Sequence, residues 1–299
     1  MKKVQVLTDS CSDLSRELLE GYGIDYCRMN TVRNEEETPA SLLWEYYTPH
    51  ELYDIMRAGE RVKTTQVPAP EFTRVFTKYL EEGCDIVYVG CSSKQSGSVN
   101  TASVVARKLL ETYPESNIFC VDSLNASMGE GVLAIRAAEL AQEGCAAREI
   151  YETVLSLRNR VNQFVTVHSL DALKRAGRVK GSAAFFGNLM GVKPILISDA
   201  DGVQTPIKKA KGRMNSFKEM VGMLAASITD PETQTVYVAH ADCSDAEIEV
   251  MKNLIRAEIP CRDIVCVYIG PIIGASIGPD AIGIWAFGNE VTYRVDEVK

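Results

Sequence analysis

A short apolar run that breaks off into hydroxyls and glycine constrains this chain more than any other stretch. In CDIVYVGCSSKQSGS, residues 84–98, positions 85–89 form a continuous run bounded by Gly83 and Gly90, the length of a strand buried on both faces. Ser92, Ser93, Ser96, Gly97 and Ser98 follow at once. The next segment sets Val99, Ala102, Val105, Ala106, Leu109 and Tyr113 on one helical stripe. A strand that ends in small polar residues and turns into a helix puts hydroxyls and free N–H groups at the carboxyl edge of a parallel sheet, where such folds bind ligands. Because these donors are neutral, the expected ligand end is an anion or a polar oxygen.

The same alternation extends along the first half. Strands are expected at 4–7, 24–32 and 117–121, with an exposed acidic loop at 35–37. A helix starts near Asp13, capped by Ser12 or Ser10, and another follows the capping box of Thr48, Pro49 and Glu51. Pro68 and Pro70 forbid a central strand in 61–72, and Pro70 opens a helix with Phe72, Val75, Phe76, Tyr79 and Leu80 on its apolar face. The segment GEGVLA, residues 129–134, matches the letters of a dinucleotide fingerprint, but seven residues separate it from its strand, so the small residues are read as helix packing. A helix over 147–161 leads to a second unit with a strand at 164–167, an apolar helix at 183–190, a strand at 194–198 and an Asp201-Gly202 hairpin. Helices at 215–228 and 245–257 and strands at 235–240, 264–269 and 284–287 complete it. The class is α/β, with a mostly parallel Rossmann-like amino-terminal domain over 1–160 and a mixed-sheet α/β domain over 161–299.

With 299 residues, 46% hydrophobic and 24% charged, the composition is that of a soluble globular protein. No 18-residue apolar run exists and Asp9 interrupts any signal-peptide core, so no transmembrane segment and a cytoplasmic location are expected. A net charge of −8 argues against a nucleic-acid partner, despite basic clusters at 174–180 (KRAGRVK) and 208–213 (KKAKGR). Nine cysteines without a C-x-x-C pair, and three histidines, give no basis for a metal site, a disulfide framework or a cofactor.

For nucleophilic chemistry, Ser92, Ser93 and Ser96 stand in position, yet neither G-x-S-x-G nor S-x-x-K spacing occurs around them. His168 and His240 end apolar runs, and Asp9 and Asp122 close strands; each fits a structural role as well as a catalytic one. Binding needs less: Thr64, Thr65, Ser93 and Ser96 on loops at one sheet edge can hold a carboxylate. A carrier of an anionic ligand, a serine-dependent small-molecule hydrolase or transferase, and a regulatory module for another metabolite all remain open on the residues alone.

TDS at 8–10, KTTQVP at 63–68, SSKQSGS at 92–98, VDS at 121–123, GRV at 177–179, KPIL at 193–196 and IGPIIGASIGP at 269–279 span nearly the whole chain in one order. Together they resemble the DegV family of fatty-acid-binding proteins, some of which serve as the lipid-presenting subunit of bacterial fatty acid kinase. The resemblance implies a long-chain fatty acid such as hexadecanoate bound between the two domains and no catalytic residue. It assigns the carboxylate to Thr64 and Ser96, with Ser93 as a third contact. Acyl-chain contacts are expected from Ala183, Phe185, Phe186, Leu189, Met190, Ile195, Leu196, Ile272 and Ile273, and from Ser276. Members usually carry histidine where this chain has Ser276, arginine where it has Lys211, and glycine where it has Ala176. Burying about fourteen methylenes at ~0.8 kcal/mol each is worth roughly 11 kcal/mol before association costs, so neutral hydroxyls suffice for the headgroup. The kinase catalytic subunit is the implied protein partner.

Overall fold

The computed structural model describes residues 2–180 and 191–295. The first half carries strands β1 (Val4–Asp9), β2 (Asp25–Cys27), β3 (Asn30–Arg33), β4 (Glu36–Pro39), β5 (Lys63–Thr65), β6 (Asp85–Gly90) and β7 (Ile118–Asp122). Its helices are α1 (Arg16–Tyr22), α2 (Pro49–Arg57), α3 (Ala69–Glu81), α4 (Ser98–Thr112), α5 (Met128–Gln142) and α6 (Ala147–Leu157). The second half adds β8 (Val161–Thr166), α7 (Asp171–Ala176), β9 (Val192–Ser198), β10 (Gln204–Lys211), α8 (Arg213–Ser227), β11 (Thr235–His240), α9 (Asp245–Glu258), β12 (Asp263–Tyr268), α10 (Pro271–Ile277) and β13 (Ile282–Phe287).

Three sheets result. The first is wholly parallel, ordered β2-β1-β6-β7; the second is mixed, ordered β10-β9-β8-β13-β11-β12, with only β11 and β12 parallel. In β6 the side chains of Ile86 and Tyr88 enter one core and those of Val87 and Val89 the other, and all four are fully buried. That is the signature of a central strand covered on both faces. Helix α5 lies between the two large sheets, touching β1 and β6 on one side and β8, β11 and β13 on the other. It is buried nearly all round, which explains the small residues of GEGVLA. The outer face of the mixed sheet is closed by Phe217, Met220, Val221 and Leu224 of α8 and Ile248, Met251 and Ile255 of α9.

The third sheet, β4-β3-β5, departs from the sequence reading. The strand expected over 24–32 breaks at Arg28 and Met29, because their N–H groups bond to the Glu71 carboxylate (3.2 Å) and the Ser10 hydroxyl (3.1 Å) rather than to a neighbouring strand. Asn34 and Glu35 both take positive φ, 49° and 67°, so the supposed acidic loop is a tight hairpin into β4. Thr64 and Thr65 likewise pair with β3 as a short edge strand that ends before the prolines. Helix α1 begins at Arg16, capped by Ser15 and not by Ser12 or Ser10, since Asp13 sits at φ 54°. Helix α10 and the longer spans of β8, β9 and β13 were also not anticipated. The helix expected at 183–190 lies outside the described residues.

Candidate functional site

Thr64 and Ser96 come from different sheets, yet hydrogen bonds tie their turns together. The Val67 N–H donates to Ser98 Oγ (3.2 Å), and Ser98 and Ser96 share a hydroxyl contact of 2.9 Å. Gln66 Nε2 donates to Thr101 Oγ1 at 2.9 Å. A Cβ on Gly97 would lie 2.0 Å from Gln66 Oε1, so a larger residue between the two serines would displace the side chain that reaches Thr101. The carboxylates at the ends of β1 and β7 hold these loops. Asp9 accepts from the Tyr88 hydroxyl (2.6 Å) and from the N–H groups of Cys11 (2.9 Å) and Cys91 (3.3 Å). Asp122 Oδ1 accepts from the N–H groups of Ser93 (3.1 Å) and Leu124 (3.2 Å).

Both turns open onto one cavity between the parallel and mixed sheets, about 950 Å³ of empty space counting its mouth. Thr64, Thr65, Gln66, Gln95, Ser96 and Gly97 form its polar end on the amino-terminal side, beside Cys11, Met29, Cys91, Ala126 and Ser127. The rest of the lining is Val165, Leu173, Leu196, Ile269, Ile272, Ile273, Ile277 and Trp285, with Ser276 and Arg178. Trp285 is fixed by its indole N–H to Gln163 Oε1 (3.1 Å), and Gln163 donates in turn to Gln204 Oε1 (2.6 Å). The wall therefore contains a polar patch whose indole N–H and two amide oxygens are already paired within this chain of donors.

Of the residues expected to bind, Thr64, Ser96, Ile273 and Ser276 face the cavity, as do Leu196 and Ile272. Ser93 is not among the lining residues; its N–H is turned to Asp122. Ile195 is a correction: side chains alternate along β9, and it packs with Phe164, Phe217 and Met220 in the outer core while Leu196 faces inward. Ala183, Phe185, Phe186, Leu189 and Met190 lie outside the described residues. Ser92 is consumed structurally, its hydroxyl donating to the Gly202 carbonyl at 2.8 Å. Sequence reasoning missed Arg178, whose Nε donates to the Gln95 carbonyl (3.1 Å), and the Gln163-Gln204-Trp285 patch. The arginine was legible in GRV, but nothing local aimed it at the loop after β6.

Two buried acids stand behind the cavity. Glu130 accepts from the Thr8 hydroxyl at 2.8 Å, and burial pushes its carboxyl well above the carboxylate range, with the nearby Asp9 charge adding to the shift. Asp13 accepts from the Gly270 N–H (2.8 Å) and the Ser127 hydroxyl, yet burial still lifts it to about 7.

His168 is exposed, with Nδ1 3.1 Å from Lys193 Nζ. His240 is buried against Tyr268, ring centroids 4.4 Å apart, and burial lowers its pKa from 6.5 to about 4, outweighing Asp242 and Asp245. Its folded pKa lies below the unfolded one, so the stability tied to a neutral ring is complete above pH 6.5 and is lost as pH falls toward 4. His240→Phe keeps a ring against Tyr268 and is expected to remove up to ~3 kcal/mol of that acid-side slope, read from urea unfolding across this window.

The fold and cavity define an α/β protein with a largely apolar site between a parallel and a mixed sheet. The chain belongs to the DegV family, whose model, described as that of an uncharacterised protein family, matches residues 3–289. A DegV domain-containing protein of Clostridium perfringens is 33% identical over 293 residues, covering 97% of this chain and 99% of the relative. A DegV family protein from Thermus thermophilus, described by its fatty acid binding, is 26% identical and superposes with a TM-score of 0.86 over 97% of this chain and 100% of that one. A DegV lipid-binding protein from Thermotoga maritima gives 25% identity and a TM-score of 0.81, with 97% and 100% covered. Among the described residues no helix is long and apolar enough to cross a membrane.

Proposed function

We propose that this chain binds one long-chain fatty acid, its carboxylate at Thr64 and Ser96 and its tail along Val165, Leu196, Ile272, Ile273 and Trp285. The observation that carries the reading is the meeting of two hydroxyl-bearing turns at a cavity whose remaining lining is mostly aliphatic and aromatic. Arg178, whose Nε donates to the Gln95 carbonyl, adds a cation at the acid end, and the fatty acid binding of the Thermus relative points the same way. In this reading residues 1–160 supply the carboxylate loops and residues 161–299 most of the tail contacts. The reading is of a carrier and not a catalyst: among the described residues, none lining the cavity is histidine, lysine, aspartate or glutamate, so a serine nucleophile has no base there.

We further propose that the bound acid is presented to a fatty acid kinase for acyl phosphate formation. A surface groove containing Arg61, Lys63, Arg175 and Arg178 shares Thr64, Arg178 and Ser276 with the cavity, so phosphate-bearing chemistry could approach the carboxylate along a cationic path. Of the two basic clusters, the one at 174–180 contributes Arg175 and Arg178 to this groove, whereas Lys208 and Arg213 of the other are paired with Glu219 and Glu247. Mass spectrometry of the organic extract of denatured, purified protein tests the binding step. One equivalent of a C14 to C18 acid is expected, and an empty extract from well-folded protein refutes it.

A further inference from the structure

At the cavity wall formed by Cys11 and Cys91, and behind it, three groups that the chain keeps far apart come together. Cys11 follows β1, Cys91 follows β6 and Glu130 begins α5; all three are buried, and one ligating atom of each lies within 4.8 Å of the others. The parallel pairing of β1 with β6 makes the cysteines neighbours, and α5, packed across both strands, carries the carboxylate to them. Both cysteines also line the cavity, which gives the cluster a route to solvent.

We propose that Cys11, Cys91 and Glu130 form a binding site for one soft divalent cation of the zinc type. Glu130 is fully buried, and although its Oε1 accepts from Thr8 and from the Asp9 N–H, its Oε2 has no hydrogen-bond partner. An unpaired carboxylate oxygen in the core costs free energy, and a cation is a partner that would recover it. Asp9 is already occupied by Tyr88 and two loop amides and serves as the outer support that fixes the backbone of both cysteines. Tetrahedral zinc with thiolates at ~2.3 Å needs sulfurs about 3.8 Å apart, so the group requires at most about an ångström of contraction. Two sulfurs and one oxygen favour zinc or cadmium over magnesium or calcium. On binding, the thiol protons leave to solvent. Neither cysteine belongs to a C-x-x-C pair, which is why spacing alone gave no hint of a metal.

Chelator-treated protein of residues 1–299 titrated with Cd²⁺ tests this by the ultraviolet thiolate-to-metal charge-transfer band. A band saturating at one equivalent, competed by Zn²⁺ and not by Mg²⁺, is expected. Cys11→Ser with Cys91→Ser should abolish it, and Glu130→Gln should weaken Cd²⁺ binding 10- to 100-fold. Should the double variant misfold, the ¹¹³Cd NMR shift of wild-type protein reports the donor set directly, with two sulfurs expected. No saturable band, a band that survives in a folded double variant, or a shift without two thiolates overturns the proposal. None of these readouts depends on the identity of the lipid.

Discussion

Removing the hydroxyls of Thr64 and Ser96 together is expected to weaken the binding of a C16 acid roughly 10²- to 10⁴-fold while leaving the protein folded. Each hydroxyl would donate to a charged oxygen, a contact worth ~1.5–3 kcal/mol, and ~1.4 kcal/mol corresponds to tenfold in affinity. Burial of the tail, at ~0.8 kcal/mol per methylene, is untouched by either change. The double variant should therefore keep the wild-type increment per added CH₂ across C14, C16 and C18 acids while its absolute affinity drops at every length. Calorimetric titration of delipidated protein separates the two terms. Ser93→Ala should behave as wild type, because Ser93 does not line the cavity. Equal affinity in the double variant and the wild type would remove the headgroup assignment, whereas a lost methylene increment would move the tail out of this cavity.

Gly283→Ala should destabilise the protein by ~1–3 kcal/mol and lower its lipid occupancy. A Cβ there would lie 2.3 Å from Cη2 of Trp285 and 2.8 Å from Cγ2 of Val165, two groups that form the cavity wall. Replacing a strand glycine ordinarily gains ~0.5–1 kcal/mol of backbone entropy, but here overpacking wins, since the indole is tethered to Gln163 and can move only into the cavity. Gly222→Ala in α8 is the matched control: nothing lies within 4 Å of its Cβ, so it should stabilise by ~0.5–1 kcal/mol without changing the lipid. Thermal unfolding together with lipid extraction measures both. A Gly283→Ala protein as stable and as loaded as wild type would mean that Trp285 does not need its present position.

Much of the fold could be read directly, because burial on both faces of β6 writes an uninterrupted apolar run and each helix writes its own stripe and cap. The run at 85–89, the Thr48 capping box and the Asp201-Gly202 hairpin are local signals with local causes. The three-stranded sheet was not legible. Its strands are three or four residues long, its hairpin uses Asn-Glu where Asn-Gly is the usual mark, and the break at Arg28 and Met29 is set by Glu71 and Ser10 from elsewhere.

Sequence by itself determined which segments become strands and helices, the hydroxyl-rich ends of the strands and, through motifs in fixed order, the family. Tertiary structure alone decided that Thr64 and Ser96 share a cavity, that Leu196 faces it while Ile195 does not, and that Cys11, Cys91 and Glu130 converge at and behind its wall. The division has one cause. Periodicity reports whether a side chain is buried, whereas which other side chains it meets is fixed by strand register and by the packing of α5 between two sheets, and neither leaves a mark within a single segment.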